Sequence, residues 1–150
     1  MLTSSLTFVT VLKDLIAINT DRAEGYKQAA QQTDEEELRS LFTEMAYHSQ
    51  RFRNELSEEV IQLDEEPTTS TATHFGAFGI PITLGAAASQ LSSGAILSSC
   101  DTGEYVALRT YQRALDSGAE LPVRELIERQ FLTLRQDHSR IKNLRTSPET

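Results

Sequence analysis

The feature that most constrains this chain is a carboxylate set in the middle of an apolar stripe. Leu97, Cys100, Glu104, Leu108, Tyr111 and Leu115 recur at steps of three and four. At about 100° per residue they share one face of a helix. A buried, unpaired carboxylate is costly, so Glu104 needs a metal, a cation, a hydrogen-bond network or a proton. The stripe therefore predicts a helix that packs against others and marks one site that those others must answer.

The same spacing occurs earlier. Adding 85 to each number converts Leu12, Leu15, Asn19, Ala23, Tyr26 and Ala30 into Leu97, Cys100, Glu104, Leu108, Tyr111 and Leu115. The register is supported by Gly25-Tyr26-Lys27-Gln28-Ala29-Ala30 falling on Thr110-Tyr111-Gln112-Arg113-Ala114-Leu115. Each of these helices is followed by a longer amphipathic one with an inward histidine. Two helical hairpins joined by a crossover give an all-α four-helix bundle of the up-down-down-up kind.

Taken in order, a first helix is expected from Thr7 to Gln32, with Glu24 on its solvated face. Thr33-Asp34-Glu35-Glu36 reads as a capping box that opens a second helix running to Leu63. The inward line of that helix is Leu38, Leu41, Met45, His48, Phe52 and Leu56. Asp64-Glu65-Glu66-Pro67 stops it, with acids that oppose the macrodipole and fray the end. The segment from Asp64 to Gly94 reads as the crossover, with a short Ala-rich helix over Pro81–Leu91. A third helix is expected over Ala95–Leu115, capped by Ser92 or Ser93. After the turn Asp116–Ala119, Pro122 opens a fourth helix to Leu144, its inward line Ile127, Phe131, Leu134, His138 and Ile141. The whole chain, 1–150, reads as one domain.

Composition narrows the function classes. The chain has 150 residues, 39% hydrophobic and 24% charged, as in an ordinary soluble globular domain. A net charge of −8 argues against nucleic acid and against an anionic membrane surface. No apolar run reaches the roughly 18–20 residues that span a bilayer. The opening Met1-Leu2-Thr3-Ser4-Ser5 has no basic region of a secretory signal. A single cysteine, Cys100, suits a reducing cytoplasm. No glycine-rich phosphate loop, Cys-x-x-Cys or serine triad with recognisable context is present.

One polar residue falls on each inward stripe: Asn19, His48, Glu104 and His138. Tyr26 and Tyr111 lie two turns along from Asn19 and Glu104. Glu104-x6-Tyr111 resembles the ferritin-like superfamily, in which Glu-x6-Tyr helices pair with Glu-x-x-His helices to hold two metals. The chain departs from that ligand set. Asn19 stands where a carboxylate is expected, and Met45 and Arg135 stand three residues before His48 and His138. A narrower resemblance covers most of the chain. Leu12-Lys13-Asp14-Leu15-Ile16, Glu24-Gly25-Tyr26-x-x-Ala29-Ala30, Ala95-Ile96-Leu97, Gly103-Glu104-x-x-Ala107-Leu108-x-x-Tyr111, and Glu128-Arg129-Gln130 with His138 resemble the bacterial family called domain of unknown function 2383. That resemblance implies a ferritin-like fold and no established activity. Between the hairpins this chain has Phe78-Gly79-Ile80-Pro81 where the members compared have His-Arg-Gly-Trp.

Two functional readings follow. In the first, Glu104 is held in a hydrogen-bond network with Tyr26, Tyr111 or His138, and the protein is a non-catalytic bundle acting through self-association, as a dimer, or through a protein partner. In the second, Glu104, His48, His138 and Glu44 form a reduced mono- or dinuclear site for iron, zinc or manganese, with Asn19, Tyr26 and Tyr111 supporting it. Neither assigns a catalytic residue. Cys100 is expected in the core, and His74 is incidental.

Overall fold

The computed structural model describes residues 2–63, 93–118 and 123–146, and side chains within them from Phe8 to Leu144. Four helices make up these residues: α1 (Leu2–Gln32), α2 (Glu36–Gln62), α3 (Ser93–Asp116) and α4 (Val123–Thr146). The expected crossover as far as residue 92, its short helix, the acidic end of α2 and Pro122 lie outside the described residues. Ser93 and Gly94 already belong to α3, so Ser93 opens that helix instead of preceding it. No strand occurs among those described, and none of the helices is long and apolar enough to cross a membrane.

The helices form because their buried positions alternate in steps of three and four, which keeps a seam facing the neighbours. In α1 the seam is Leu12, Leu15, Asn19, Arg22, Tyr26 and Ala29. In α2 it is Phe42, Met45, Ser49, Phe52 and Leu56, and in α3 it is Leu97, Cys100, Glu104, Ala107, Tyr111 and Ala114. In α4 it is Ile127, Gln130, Leu134, Asp137 and Ile141. Contacts across the seams fix the directions. Asn19 meets Tyr111 and Arg22 meets Glu104, so α1 and α3 are antiparallel. Arg22 meets Ser49 and Tyr26 meets Phe42, while Tyr111 meets Gln130 and Asp101 meets His138, so each hairpin is antiparallel as well. His48 meets Asp137, which sets α2 against α4. The bundle is thus up-down-down-up, as the repeat predicts.

Two apolar clusters fill the bundle. One holds Leu12, Leu15, Phe52, Leu56, Tyr111, Ile127 and Leu134; the other holds Tyr26, Phe42, Met45, Leu97, Cys100 and Ile141. Along every helix, a polar layer separates them: Asn19 and Arg22 in α1, Ser49 in α2, Glu104 in α3 and Asp137 in α4. Apolar side chains above and below exclude water from that layer, which raises the stakes of every polar contact in it.

Two local expectations need correction or refinement. The capping box at Thr33 does not form: α2 starts at Glu36 with Glu35 as its N-cap, and no side chain caps it. Thr33 is itself buried, and its hydroxyl accepts instead from the Glu35 N–H at 3.1 Å. The end of α3 follows the turn residues. The N–H of Ser117 returns to the Arg113 carbonyl at 3.0 Å, and Gly118 takes φ 84°, a conformation that costs a glycine little.

Candidate functional site

The centre of the polar layer is Arg22, which is fully buried. Its guanidinium carries five N–H donors in a fixed plane, and each finds an acceptor. Nε donates to Glu104 Oε1 at 2.5 Å and Nη2 to Glu104 Oε2 at 2.8 Å, a side-on fork. Nη2 also donates to Asp137 Oδ2 at 2.8 Å. Nη1 donates to Ser49 Oγ at 2.8 Å and to the Met45 carbonyl at 3.3 Å. One side chain of α1 is thereby bonded to all three other helices. The Tyr26 ring lies 5.1 Å from the guanidinium carbon and adds a cation–π contact.

Burial disfavours the charge on Arg22, but the adjacent Glu104 carboxylate, with smaller help from Asp137, more than offsets it, so its pKa rises above the ordinary value. Glu104 and Asp137 are 1% and 2% exposed. Against one guanidinium they leave one formal negative charge. His48 Nδ1 lies 2.9 Å from Asp137 Oδ2, the oxygen that also accepts from Arg22. For Asp137 burial pulls the pKa up, while the His48 bond and the Arg22 charge outweigh it and hold the value below 3.8. Outward from there, His48 Nε2 is 3.8 Å from Glu44 Oε2, and Arg140 forks onto Glu44 at 2.6 and 3.3 Å. The result is a continuous run of polar contacts from the core to the surface: Glu104, Arg22, Asp137, His48, Glu44, Arg140.

A second chain of bonds lies one turn away. Asn19 Nδ2 donates to the Tyr111 hydroxyl at 2.7 Å, and that hydroxyl donates to Gln130 Oε1 at 2.6 Å. Gln130 Nε2 then reaches Glu55 Oε1 at 3.0 Å. Tyr26, by contrast, stacks on Phe42 at 5.8 Å and sits beside Glu104. Burial raises the pKa of both tyrosines, and also that of the fully buried Cys100 thiol beside them.

The structure does not bring Glu104, His48, His138 and Glu44 around one point. Glu104 is committed to Arg22. His48, 23% exposed, reaches the centre only through Asp137, and Glu44 stands at the surface with Arg140. His138 turns away: its Nε2 lies 2.6 Å from Asp101 Oδ1. That pair lines an open surface cavity of about 350 Å³ with Thr102, Tyr105, Val106 and Lys142. Of the supporting residues, Asn19 and Tyr111 are joined to each other, and Tyr26 flanks the guanidinium.

Sequence reasoning missed Arg22, Ser49, Gln130 and Asp137. Two adjacent positions of a helix can both lie within a broad stripe, and for α1 and α4 the expected line took Ala23, Phe131 and His138. The strict three-four alternation picks out the buried set instead. Once Asn19 and Tyr26 are accepted as inward, Arg22 must lie between them, and once Ile127, Leu134 and Ile141 are accepted, so must Gln130 and Asp137.

In the ferritin-like superfamily the middle of four such helices can hold metals, which requires donors free to converge on one point. The donors present do not fit in this arrangement. A guanidinium lies between the two central carboxylates with all its donors used, and no group of three or more His, Cys, Asp and Glu suited to a metal ion occurs among the described residues.

The family described as Domain of unknown function (DUF2383) matches residues 7–117. The chain belongs to that family. The match runs from α1 through α3, so Arg22, Ser49 and Glu104 fall within the DUF2383 segment, and Asp137 in α4 lies beyond it. Among solved structures, Dps from Thermosynechococcus elongatus is similar over 98% of this chain and 95% of its own, with a TM-score of 0.81 and 18% identity. At that identity the likeness establishes the ferritin-like fold of this DUF2383 member and nothing more. No curated protein matches the sequence.

Proposed function

We propose that this DUF2383 protein is a non-catalytic ferritin-like bundle, a single unit over 1–150, that acts by self-association, as a dimer, or by binding a protein partner. The supporting observation is the closed centre. Arg22, Glu104, Ser49 and Asp137 use one another's hydrogen-bonding capacity, with apolar clusters on both sides, so the layer where such a bundle could hold a reacting group is already filled. A buried polar layer of this kind fixes which residues face one another along the helices, a register role for which a buried charge cluster is suited. What remains for function is the outer surface. It exposes Tyr47, Ile61 and Leu63 on and just after α2, Tyr105 on α3, and Leu132 and Leu144 on α4. The buried free thiol of Cys100 is compatible with a cytoplasmic setting.

The test is the mass in solution. At tens of micromolar, an order-of-magnitude working range, sedimentation should give twice the chain mass of 16.7 kDa or more. A monomer that also captures no protein partner overturns the proposal.

A metal-binding reading retains one supporting observation. His48 has a carboxylate near each ring nitrogen, Asp137 at 2.9 Å and Glu44 at 3.8 Å. An ion there would need Arg140 to release Glu44. Tag-free protein that holds no iron, zinc or manganese after incubation with each would remove it.

A further inference from the structure

We infer that the centre of the bundle is a cation site whose occupant is supplied covalently by Arg22, and that shortening this side chain converts it into a binding site for a free guanidinium ion and for a divalent metal. The acceptors make a ring of five oxygens from three helices: Glu104 Oε1 and Oε2, Asp137 Oδ2, Ser49 Oγ and the Met45 carbonyl. Each lies 2.5–3.3 Å from a guanidinium nitrogen. Two of the contributing groups are carboxylates with almost no exposure.

The ring does not depend on Arg22 alone for its shape. Asp137 is independently held by His48 Nδ1, and Met45 and Ser49 are fixed by the α2 backbone against α1. The Tyr26 ring provides an aromatic face for a planar cation. Take the guanidinium away and two carboxylates remain in a water-poor layer, where isolated charge is costly. They must then bind a cation, take up protons or open the bundle. A free guanidinium matches the planar donor pattern: five of its six N–H groups meet the same five oxygens, and the sixth points into the space vacated by the Arg22 chain. Mn²⁺ and Zn²⁺ match a set of carboxylate and carbonyl oxygens, with His48 behind Asp137 as the nearest nitrogen.

In the natural protein the corollary is exclusion. A tethered cation sits at very high effective concentration and cannot leave, so divalent ions do not displace it. The wild-type chain therefore has a cation at its centre that is independent of metal supply.

The experiment compares wild type, Arg22→Ala and the double variant Arg22→Ala/Glu104→Gln. Melting temperatures are read with millimolar guanidinium chloride, the same concentration of urea as a neutral isostere, and the same concentration of sodium chloride. Arg22→Ala should melt lower than wild type and recover with guanidinium, with neither urea nor salt matching it. Wild type should show no such gain, and the double variant should lose it. Arg22→Ala should also take up about one equivalent of Mn²⁺ or Zn²⁺, with wild type taking none at the centre. If Arg22→Ala does not fold alone, refolding it with guanidinium against urea reads the same property from helical circular dichroism. Equal effects of guanidinium and urea overturn the inference in either format, and so does stoichiometric wild-type metal that Glu104→Gln abolishes. The inference rests on the closed centre and not on self-association. Failed rescue leaves the self-association proposal standing, and a monomeric mass leaves this inference standing.

Discussion

Arg22 lies side-on against Glu104, 82 positions away in sequence, with two parallel bonds of 2.5 and 2.8 Å in a fully buried setting. Such a pair contributes less than its Coulomb energy suggests, because both charges have left water. Breaking it is another matter. Glu104→Gln or Arg22→Met strands a buried charge and should cost about 3–5 kcal/mol in urea denaturation. Arg22→Met with Glu104→Leu should cost less than the sum of Arg22→Met and Glu104→Leu measured singly, by more than about 1 kcal/mol. Additive losses would mean that the two residues act independently, contrary to the fork.

The Tyr111 hydroxyl both accepts from Asn19 and donates to Gln130. Tyr111→Phe keeps the ring in the core and deletes only that oxygen, leaving two buried partners short of a bond. Chemical denaturation should show a loss of about 1–3 kcal/mol. Tyr105→Phe, at an exposed position of α3, should stay within about 0.5 kcal/mol. Equal effects would show that the Tyr111 bonds are not formed.

Acid should weaken the bundle through Asp137. Its folded-state pKa lies below the ordinary 3.8, because His48 and Arg22 outweigh the effect of burial. On acidification the unfolded chain therefore takes up this proton first. The contribution is fully present above the unfolded pKa, and it is lost as the pH falls through the folded value. The urea midpoint of wild type should consequently drop more steeply below about pH 4 than that of Asp137→Asn. Parallel profiles would remove Asp137 as the cause.

Cys100 is fully buried, and burial raises its thiol pKa well above the ordinary 9. A thiol-directed reagent at neutral pH should leave it unmodified in the native protein and label it in urea. Arg22→Ala, which weakens the layer next to Cys100, should raise the native labelling rate by at least about tenfold for each 1.4 kcal/mol of lost protection. Rapid labelling of wild type would place the thiol at a surface instead.

Much of the architecture is legible in the sequence because it rests on spacing. The offset that maps Asn19–Tyr26 onto Glu104–Tyr111 already implies two related hairpins, and the apolar stripes give the seams. The site is less legible because a stripe does not say which of two neighbouring residues points deeper. On the broad stripes of α2 and α4, His48 and His138 stand beside the more deeply buried Ser49 and Asp137. Arg22 and Asp137 both lie deep, and each is tolerable only because the other is there. Charge that looks solvated helix by helix becomes core once four helices are combined. A single stripe carries no record of that cancellation. Glu104 is the exception, isolated enough in its own helix to announce that it needs a partner, although the partner is the Arg22 guanidinium of α1 and not Tyr26, Tyr111 or His138.

Arg22 bonds to every other helix, and this ties the first helix made to the last. Asp137 follows it by 115 positions. At about 5–20 residues per second, translation needs roughly 6–23 s to bridge that interval. Until α3 is made, the α1–α2 hairpin offers Arg22 only the uncharged oxygens of Ser49 and Met45; α3 then adds Glu104, and the central layer lacks Asp137 and the α4 seam until the end of the interval. A nascent chain that ends at residue 118 should accordingly be sensitive to protease across α1, and protection should arrive only once α4 has emerged. The bundle would then close late and all at once, with one guanidinium registering that α4 has joined the other three helices.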